Sequence, residues 1–450
     1  MNEQCPTGGR VDRRIGSVVA SMLVLGLALG AGSACAQSER PPAAGKRCTV
    51  DKDTRVASLQ SGRQNGKAHT HARKGPPPMI RFSRPFRADK VMTVAAVGDV
   101  LLHDRLQKIA AVHPAGFADL WADVKDLLIA ADVTYANLEG PAARDVAPGG
   151  RATRKPVTSR YDAKVYRGYP TFNYHPQVVE ALKQGGIDVV STANNHSLDR
   201  HALGVDRTIE ALDAAGLKFT GTRHRDETYA PWYAITKVKS ALGTHNVAWL
   251  ACTYGTNDIR DRYKQVLFCY RQRKLVLDTV RELAAREDIH AVMLTPHWGL
   301  EYRHWPTKKQ RALAYDALEA GATAVIGGHP HVMQPWERHV TSDGREGLVI
   351  YSLGNFVSNQ LGIPRRSSVI ALLGLTPDPA RKGKLGVVAA RFIPIRMHLQ
   401  FGKPGVRIAA ESIERSGRGA ANQAHILKHL PAGNLHPATT PFWAGLDCPA

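Results

Sequence analysis

Short apolar segments rich in valine, isoleucine and alanine alternate with amphipathic segments, and this alternation limits the possible folds most strongly. The apolar segments are typical of buried strands, and apolar residues three or four positions apart are typical of helices. The predicted strands are residues 93–97, 133–136, 187–191, 246–251, 291–295, 322–326 and 348–352. The predicted helices are residues 117–130, 178–183, 202–215, 274–286 and 308–320. The pattern predicts an α/β fold in which helices flank a largely parallel sheet or a pair of sheets.

Polar side chains follow five of the predicted strands at their carboxyl ends, where α/β folds bind ligands. These residues are Asp99, Glu139, Asn195, His196, His297, His329 and His331. Imidazole, carboxylate and amide oxygen together favour borderline divalent metals such as Mn, Fe and Zn. A bridging carboxylate can hold two such ions, which activate water and stabilise a displacement at phosphorus.

The segment Gly327-Gly328-His329-Pro330-His331 follows a predicted strand and places two imidazoles two residues apart. In extended backbone both side chains would project to the same side. The two glycines allow a turn and a close approach of a ligand. The segment predicts a metal-binding loop, and a proline-containing surface turn is the alternative interpretation.

Five motifs occur in order: Gly98-Asp99, Asn137-Leu138-Glu139-Gly140, Asn194-Asn195-His196, His297-Trp298-Gly299 and Gly328-His329-Pro330-His331. They resemble the motifs of the bacterial capsule-synthesis CapA family, whose better-known members act in poly-γ-glutamate capsule production. That family is similar to a branch of the calcineurin-like metallophosphoesterase superfamily. The resemblance covers about residues 92–356. It implies a calcineurin-like fold, a role in capsule polymer synthesis or export, and a metal-dependent hydrolase or phosphoesterase activity.

The resemblance also implies one or two divalent ions, of Mn, Fe or Zn. Asp99 and His331 would bind the first ion, and Glu139 would bridge both. Asn195, His297 and His329 would bind the second ion. His196 would act as the general acid.

Two positions depart from the superfamily pattern. Leu101 stands where the first motif usually carries a histidine, and His103 is the candidate replacement. The bridging acid is Glu139 where aspartate is usual, so a one-metal or vestigial site is the alternative. His103, Asn194 and Asn137 are candidates for residues that support the ligands. His304 and His339 are expected at the surface or around the site.

Residues 1–36 resemble a signal peptide. Arg10, Arg13 and Arg14 precede an apolar stretch, and Ala34-Cys35-Ala36 fits a cleavage site. We expect export to the periplasm or cell envelope with cleavage near Ala36. An uncleaved membrane anchor and a lipoprotein attached at Cys35 are the alternatives.

The chain carries a formal net charge of +21, and residues 37–90 contain 13 Lys and Arg against four Asp and Glu. Few apolar residues lie in this segment, which predicts a disordered basic linker. We expect an anionic envelope polymer or a phosphate-bearing substrate as partner, and contact of residues 37–90 with a membrane surface is possible. Nucleic acid is not expected, because aromatic residues are not interleaved with the basic ones. The simpler alternatives are that residues 37–90 are a solvated spacer and that the net charge reflects an Arg-rich, solubilising surface.

The expected domains after the linker are a CapA-like domain over residues 91–360 and a C-terminal extension over residues 361–450, packed on that domain. Residues 387–413 form the expected smaller β-rich part.

Cleavage after Ala36 would leave four cysteines, which can pair in three ways in an oxidising compartment. The favoured pairs are Cys252 with Cys269 and Cys48 with Cys448. The C-x-x-C spacing of cysteine zinc sites does not occur.

Overall fold

The computed structural model describes residues 75–402 and 405–443. The strands are β1 Met92–Leu101, β2 Val133–Leu138, β3 Val189–Ser191, β4 Lys218–Thr220, β5 Tyr233–Ser240, β6 Gly243–Thr253, β7 Ala291–His297, β8 Ala324–Ile326, β9 Met333–Val340, β10 Glu346–Leu353, β11 Asn355–Ser358, β12 Ser367–Pro377, β13 Leu385–Gly402 and β14 Gly405–Ser412. The α-helices are α1 Asp104–Val112, α2 Lys125–Ile129, α3 Gln177–Gln184, α4 His201–Ala215, α5 Arg273–Ala285, α6 Lys308–Glu319, α7 Ile363–Arg366, α8 Ile413–Ser416 and α9 Ala420–His429, and 3-10 helices cover Gly116–Val124 and Ala432–Asn434. The predicted signal peptide, residues 37–74 of the predicted linker and the pair Cys48–Cys448 lie outside the described residues.

Two β-sheets form the centre of the fold. The first has the order β14-β13-β12-β1-β2-β3-β4, with β11 also paired to β1, and the second has the order β5-β6-β7-β8-β10-β9. Strands β1 to β4 pair in parallel, as do β6, β7, β8 and β10 in the second sheet. Antiparallel strands lie at the edges. The predicted α/β class with sheet layers flanked by helices is confirmed.

The alternation of side chains along β1 explains how the layers pack. Met92, Val94 and Ala96 join an apolar cluster that contains residues of both sheets. Ala95 and Val97 face the other way, into a cluster with the helices that cover the first sheet. A third cluster holds residues of α5 and α6 against the second sheet. The layers therefore run helix, sheet, sheet, helix.

The helix predicted over residues 117–130 is interrupted. Its first part is the 3-10 helix Gly116–Val124, and Trp121 leaves helical geometry there with φ −136° and ψ 16°. Helix α2 then covers only Lys125–Ile129. Trp121 is buried, stacked against Phe356 at 6.4 Å between ring centroids. Packing of this large side chain therefore accompanies the break, which the apolar periodicity alone did not predict.

The C-terminal region is part of the first sheet. Strand β12 pairs antiparallel with β1, with Met92 opposite Leu375, and β13 and β14 continue the sheet beyond it. The residues after the predicted boundary at residue 360 therefore share a sheet with those before it. The region is β-rich as expected, and it completes the sheet that carries Asp99.

Residues 75–90 pack against this C-terminal region. The backbone N–H of Ile80 donates to Asn434 at 2.8 Å, and Arg84 donates to the carbonyl of Val387 at 2.9 Å. Phe86 is buried 5.3 Å from the ring of Trp443. The prediction of a disordered linker therefore does not hold for residues 75–90.

A disulfide joins Cys252 and Cys269, as the sequence favoured. It ties the end of β6 to the irregular segment that follows, and both cysteines are buried. Among the described residues, none of the helices has the length and apolar character needed to span a bilayer.

Candidate metal centre

The carboxyl ends of β1, β2, β3, β7 and β8 meet and bring the predicted ligands together. Asp99 lies opposite Asn137 in the pairing of β1 with β2, and Glu139 follows β2 directly. His297 is the last residue of β7. The loop after β8 supplies His329 and His331, and the loop after β3 supplies Asn195. All six candidate ligands are buried.

Direct contacts link these side chains. The shortest involving the acids join Asp99 Oδ2 to His331 Nδ1 at 3.2 Å and Glu139 Oε1 to His297 Nε2 at 3.4 Å. Glu139 Oε1 also lies 3.7 Å from His331 Nε2. His329 lies beside His297, with 4.9 Å between ring centroids. The sequence-predicted ligands therefore form one cluster.

Two groups of three residues within this cluster could each hold a cation, with ligand atoms within 4.8 Å of one another. One contains Asp99, Glu139 and His297, and the other contains Glu139, His329 and His331. Both include Glu139, as a bridging carboxylate would require. The grouping differs from the expected one, which placed His331 with Asp99 and His329 with His297. The metal-ligand roles remain predictions.

The chemistry of this cluster fits a divalent ion. Neither carboxylate oxygen of Glu139 accepts a hydrogen bond from the described part of the chain, although the residue is fully buried. His329 Nδ1 is buried and similarly without a partner there. Unpaired buried polar atoms are costly, and a bound cation would satisfy these.

Mutual electrostatics perturb the residues of the cluster strongly. Burial alone would raise the pKa of Glu139, but His331 and His297 lower it well below its usual range. Burial would lower the pKa of His331, but Glu139 and Asp99 raise it to about 9. Burial, with the neighbouring His297 and His331, lowers the pKa of His329 well below its usual range. Such opposed shifts in neighbouring groups are typical of functional sites.

The glycine-histidine loop is tighter than the expected extended segment. His329 and His331 have positive φ angles, 98° and 57°, so the prediction of two side chains projecting from extended backbone is wrong. A Cβ on Gly328 would lie 2.7 Å from Asp99 Oδ1. The loop therefore passes directly over the acid, and the strained histidines are held where they contact the cluster.

Two asparagines orient the cluster. Asn137 Nδ2 donates to Asp99 Oδ1 at 2.8 Å and lies 3.2 Å from His297 Nδ1. Asn195 Oδ1 faces His297 Nε2 at 2.8 Å, while its Nδ2 donates to Asn257 at 3.2 Å. The amide contact with Asn257 keeps the oxygen of Asn195 directed at the centre, as a metal ligand would require.

His196 lies beside the cluster in a polar setting that the motif alone did not predict. Its Nδ1 lies 2.8 Å from Asp199 Oδ2, and its ring packs edge-on against Phe172 at 4.7 Å. Burial would lower the pKa of His196, but the hydrogen bond to Asp199 raises it. Asn194 fixes this turn, because its Oδ1 accepts from the His196 backbone at 3.1 Å. The sequence contained a signal for this contact, because Asp199 lies only three residues after His196.

A family model described as "Bacterial capsule synthesis protein PGA_cap" matches residues 93–360, more than half of the chain. The chain belongs to this family. The matched region includes every residue of the cluster and ends before β12.

Three curated relatives have informative names. The chain is 26% identical to "Capsule biosynthesis protein CapA" of Bacillus anthracis over 278 residues, 61% of each protein. It is 24% identical to "PGA biosynthesis protein CapA" of Bacillus subtilis over 294 residues, which cover 63% of this chain and 67% of the relative. It is 27% identical to "Probable polyglutamine synthesis accessory protein" of Mycobacterium tuberculosis over 324 residues, covering 68% and 79%. The match thus spans about three fifths of the Bacillus anthracis protein.

A solved structure, that of the protein TT1561 of Thermus thermophilus, aligns with a TM-score of 0.33 and 10% identity over 66% of this chain and 98% of the other. This TM-score is too low to support a fold assignment. The assignment rests instead on the sheets and helices described above.

The present chain has Leu101 where the superfamily pattern has a histidine. The Leu101 side chain is 2% exposed and belongs to an apolar cluster. His103 Nδ1 lies 3.1 Å from the carbonyl of Leu101, and His103 is in neither three-residue group. Its ring packs edge-on against Phe172 at 5.5 Å. His103 therefore borders the centre without joining the groups of ligand atoms.

A cavity of about 1060 Å³ lies beside the centre. Tyr254 lines it and also packs against His329, with 4.4 Å between ring centroids. The basic residues of its lining are Arg260, Arg271, Lys308 and Lys309, and the acidic ones are Asp258 and Asp261. The sequence reasoning missed this cavity, because its residues come from separate loops and the first turn of α6.

Proposed function

We propose that this protein is an exported, metal-dependent hydrolase of capsule polymer synthesis or export. Its target would be a phosphate ester or an amide bond of an anionic envelope polymer such as poly-γ-glutamate. One observation carries the proposal: the buried Glu139 carboxylate has no hydrogen-bond partner among the described residues and belongs to both potential ligand groups. Family membership supports the capsule context.

The six clustered side chains would hold the metal, and each has a donor suited to it. The proposed ligands are Asp99, Glu139, Asn195, His297, His329 and His331. A divalent ion bound there would supply Lewis acidity and an activated water. Asn137 and Asn257 would keep the ligands oriented through the amide contacts described above.

His196 would hold the proton for the leaving group. A carboxylate accepts but does not donate, so Asp199 keeps the proton on Nδ1 of His196. In the imidazolium form, Nε2 then carries the proton that can be transferred. Asp199 also stabilises that charged form, which matches the raised pKa of His196.

The cavity beside His329 supports an anionic substrate. Its four basic side chains outnumber its two acidic ones, and Asp261 is engaged with the backbone N–H groups of Gln265 and Val266 at 3.0 and 2.9 Å. A basic cleft raises the local concentration of an anionic chain and steers it toward the centre.

Export is proposed from residues 1–36 and is supported by the Cys252–Cys269 disulfide, because such bonds persist in oxidising compartments. Cell fractionation of full-length and residue-1–36-deleted chains tests this. Retention of the full-length chain in the cytoplasm would oppose it.

Hydrolysis is tested with the purified chain from residue 37 onward and added Mn²⁺, Zn²⁺ or Fe²⁺. Generic phosphate esters and poly-γ-glutamate are separate substrate arms, so that the two bond types are distinguished. We expect metal-dependent turnover of one of the two substrates, and we expect His196→Gln to abolish that turnover. The matched control is His398→Gln, which removes another imidazole near a carboxylate, 3.7 Å from Glu411. The hydrolase proposal fails if neither arm shows turnover that depends on both metal and His196.

A second candidate function is non-catalytic binding or guiding of the anionic polymer. The buried Leu101 and the basic cavity favour it, because one expected metal ligand is missing while the cavity lining has more basic than acidic side chains. If this alternative holds, deletion of residues 37–74, or substitution of Lys308 and Lys309 by Glu, should weaken poly-γ-glutamate binding. Asp99→Ala should leave that binding unchanged. Reversal of the exposed Lys237 and Lys239 on β5 gives a control of equal charge change. Loss of function in Asp99→Ala alone would exclude this alternative.

A further inference from the structure

Three histidines meet outside the candidate metal centre. His425 and His429 lie one turn apart on α9, and His304 lies in the segment between β7 and α6. The His304 and His429 rings are stacked at 4.1 Å, and His425 lies 5.0 Å from His304 and 4.9 Å from His429 between ring centroids. Histidines four residues apart share one face of a helix, so the helix itself pre-arranges two of them.

The ring nitrogens are available for a ligand. His304 Nδ1 lies 3.0 Å from the Met333 carbonyl, which can only accept, so Nδ1 carries the proton and Nε2 keeps its lone pair. His425 Nε2 and His429 Nδ1 are buried and have no hydrogen-bond partner among the described residues. One nitrogen from each ring lies within 4.8 Å of one from each of the others.

This arrangement has the features of a histidine metal site. A ligating histidine normally donates its other ring N–H to a carbonyl or carboxylate, as His304 does to Met333. Three imidazoles and one open position form a common tetrahedral zinc site. A bound ion would also give a partner to the buried nitrogens of His425 and His429, which are costly to leave unpaired. His429 also lines a surface cavity of about 660 Å³, which gives an ion a path to the cluster.

We propose that His304, His425 and His429 form a second metal site that binds a divalent ion of the zinc type. No carboxylate joins the group within the described chain, so water or a small anion would fill the fourth position. His425 and His429 lie beyond residue 360, outside the region that the family model matches. The site would therefore be a feature that the C-terminal region adds to the common family domain.

The bound ion would fix α9 to the segment that borders the candidate metal centre. That segment carries Glu301, 4.0 Å from His331, and Tyr302, whose ring lies 6.1 Å from that of His331. Met333, the partner of His304, lies two residues after His331. The site would thus act structurally, by holding these neighbours in place.

Metal binding is tested on the mature chain from residue 37 onward. Zinc content after dialysis and Co²⁺ absorption are compared in wild type, His425→Gln and His429→Gln, with His436→Gln as control. His436 is a buried histidine of the same region, 3% exposed, and is not in the group. We expect each cluster variant to lose about one equivalent and the Co²⁺ band of a tetrahedral imidazole site. The same loss should occur in a Glu139→Ala background, which separates this site from the candidate metal centre.

A measurement on the unsubstituted protein guards against variants that fail to fold. Diethyl pyrocarbonate modifies accessible imidazoles, and mass spectrometry assigns the modified residues. We expect Zn²⁺ to protect His304, His425 and His429 while the modification of His113 stays unchanged. Equal modification with and without Zn²⁺, or full metal content in His425→Gln and His429→Gln, would overturn the proposal.

Discussion

Glu139 Oε1 lies 3.4 Å from Nε2 of His297, and both side chains are buried at the junction of two sheets. The carboxylate comes from the first sheet and the imidazole from the second. Burial would raise the pKa of Glu139, but His331 and His297 lower it well below its usual range. The packing of the two sheets therefore creates the candidate centre, and Glu139 is the residue on which both ligand groups depend.

Asp199→Asn should lower kcat while leaving the metal content unchanged. Asp199 is placed 2.8 Å from His196 Nδ1 and supports its charged form, so the substitution should reduce proton transfer by about 10²-fold or less. Turnover and its pH profile are measured with metal analysis on the same samples. A fall in metal content equal to the fall in kcat would show that Asp199 acts on the centre as a whole.

Gly328→Ala should impair metal binding without unfolding the protein. The added Cβ would approach Asp99 Oδ1 to 2.7 Å, which forces either the loop or the acid to move. Metal affinity and circular dichroism are compared with those of Gly149→Ala, where the new Cβ meets no atom within 4 Å. Unchanged affinity in Gly328→Ala would mean that the close approach of loop and acid is unimportant.

Removal of the Cys252–Cys269 disulfide should destabilise the protein. The bond spans a sequence separation of 17, for which chain entropy gives about 3 kcal/mol in the free energy of unfolding. Urea unfolding of Cys252→Ser/Cys269→Ser, and of wild type with and without reductant, measures the effect. The reductant should leave the double variant unaffected, and a wild type insensitive to reductant would refute the prediction.

Burial of His175 should make the fold less stable in acid. Burial, with Arg144 and Arg160 nearby, lowers the pKa of His175 to about 4. The unfolded chain, with a histidine pKa of about 6.5, takes up the proton first as the pH falls. The contribution of this pKa difference to the free energy of unfolding is fully present above about pH 6.5 and is lost as the pH falls toward 4. It amounts to about 3 kcal/mol at most. Urea unfolding at several pH values should show a shallower acid loss in His175→Gln than in wild type or His113→Gln. Equal slopes in all three would contradict the assignment to His175.

The strand-end pattern predicted that the candidate ligand side chains would lie close together, and there is a physical reason for it. Parallel strands deliver their carboxyl ends to one edge of a sheet, so Asp99 and Glu139 could be placed together from their positions after apolar segments. His297 lies at the carboxyl end of a strand in the other sheet, and only the packing of the two sheets brings it to them. The Cys252–Cys269 pair was favoured for its short separation, and the structure contains it.

Other features depended on tertiary contacts that local patterns do not encode. The positive φ angles of His329 and His331 occur in a loop whose backbone passes close to Asp99, a residue more than two hundred positions earlier in the chain. Strands β4, β5 and β9 were not predicted, because each lies at the edge of a sheet and includes exposed residues, so none forms a continuous apolar segment. His304 was expected at the surface or around the site, and its neighbours His425 and His429 are more than a hundred residues away in the chain.

The most direct test is metal analysis of the purified protein with and without Glu139→Ala, using His425→Gln to discount the second site. We expect the His425→Gln protein to hold up to two equivalents of divalent metal, and the wild type to hydrolyse substrate. Adding Glu139→Ala should leave about one equivalent or none and abolish turnover. A His425→Gln protein without metal, or Glu139→Ala with full metal content and activity, would contradict a metal-dependent centre built on Glu139.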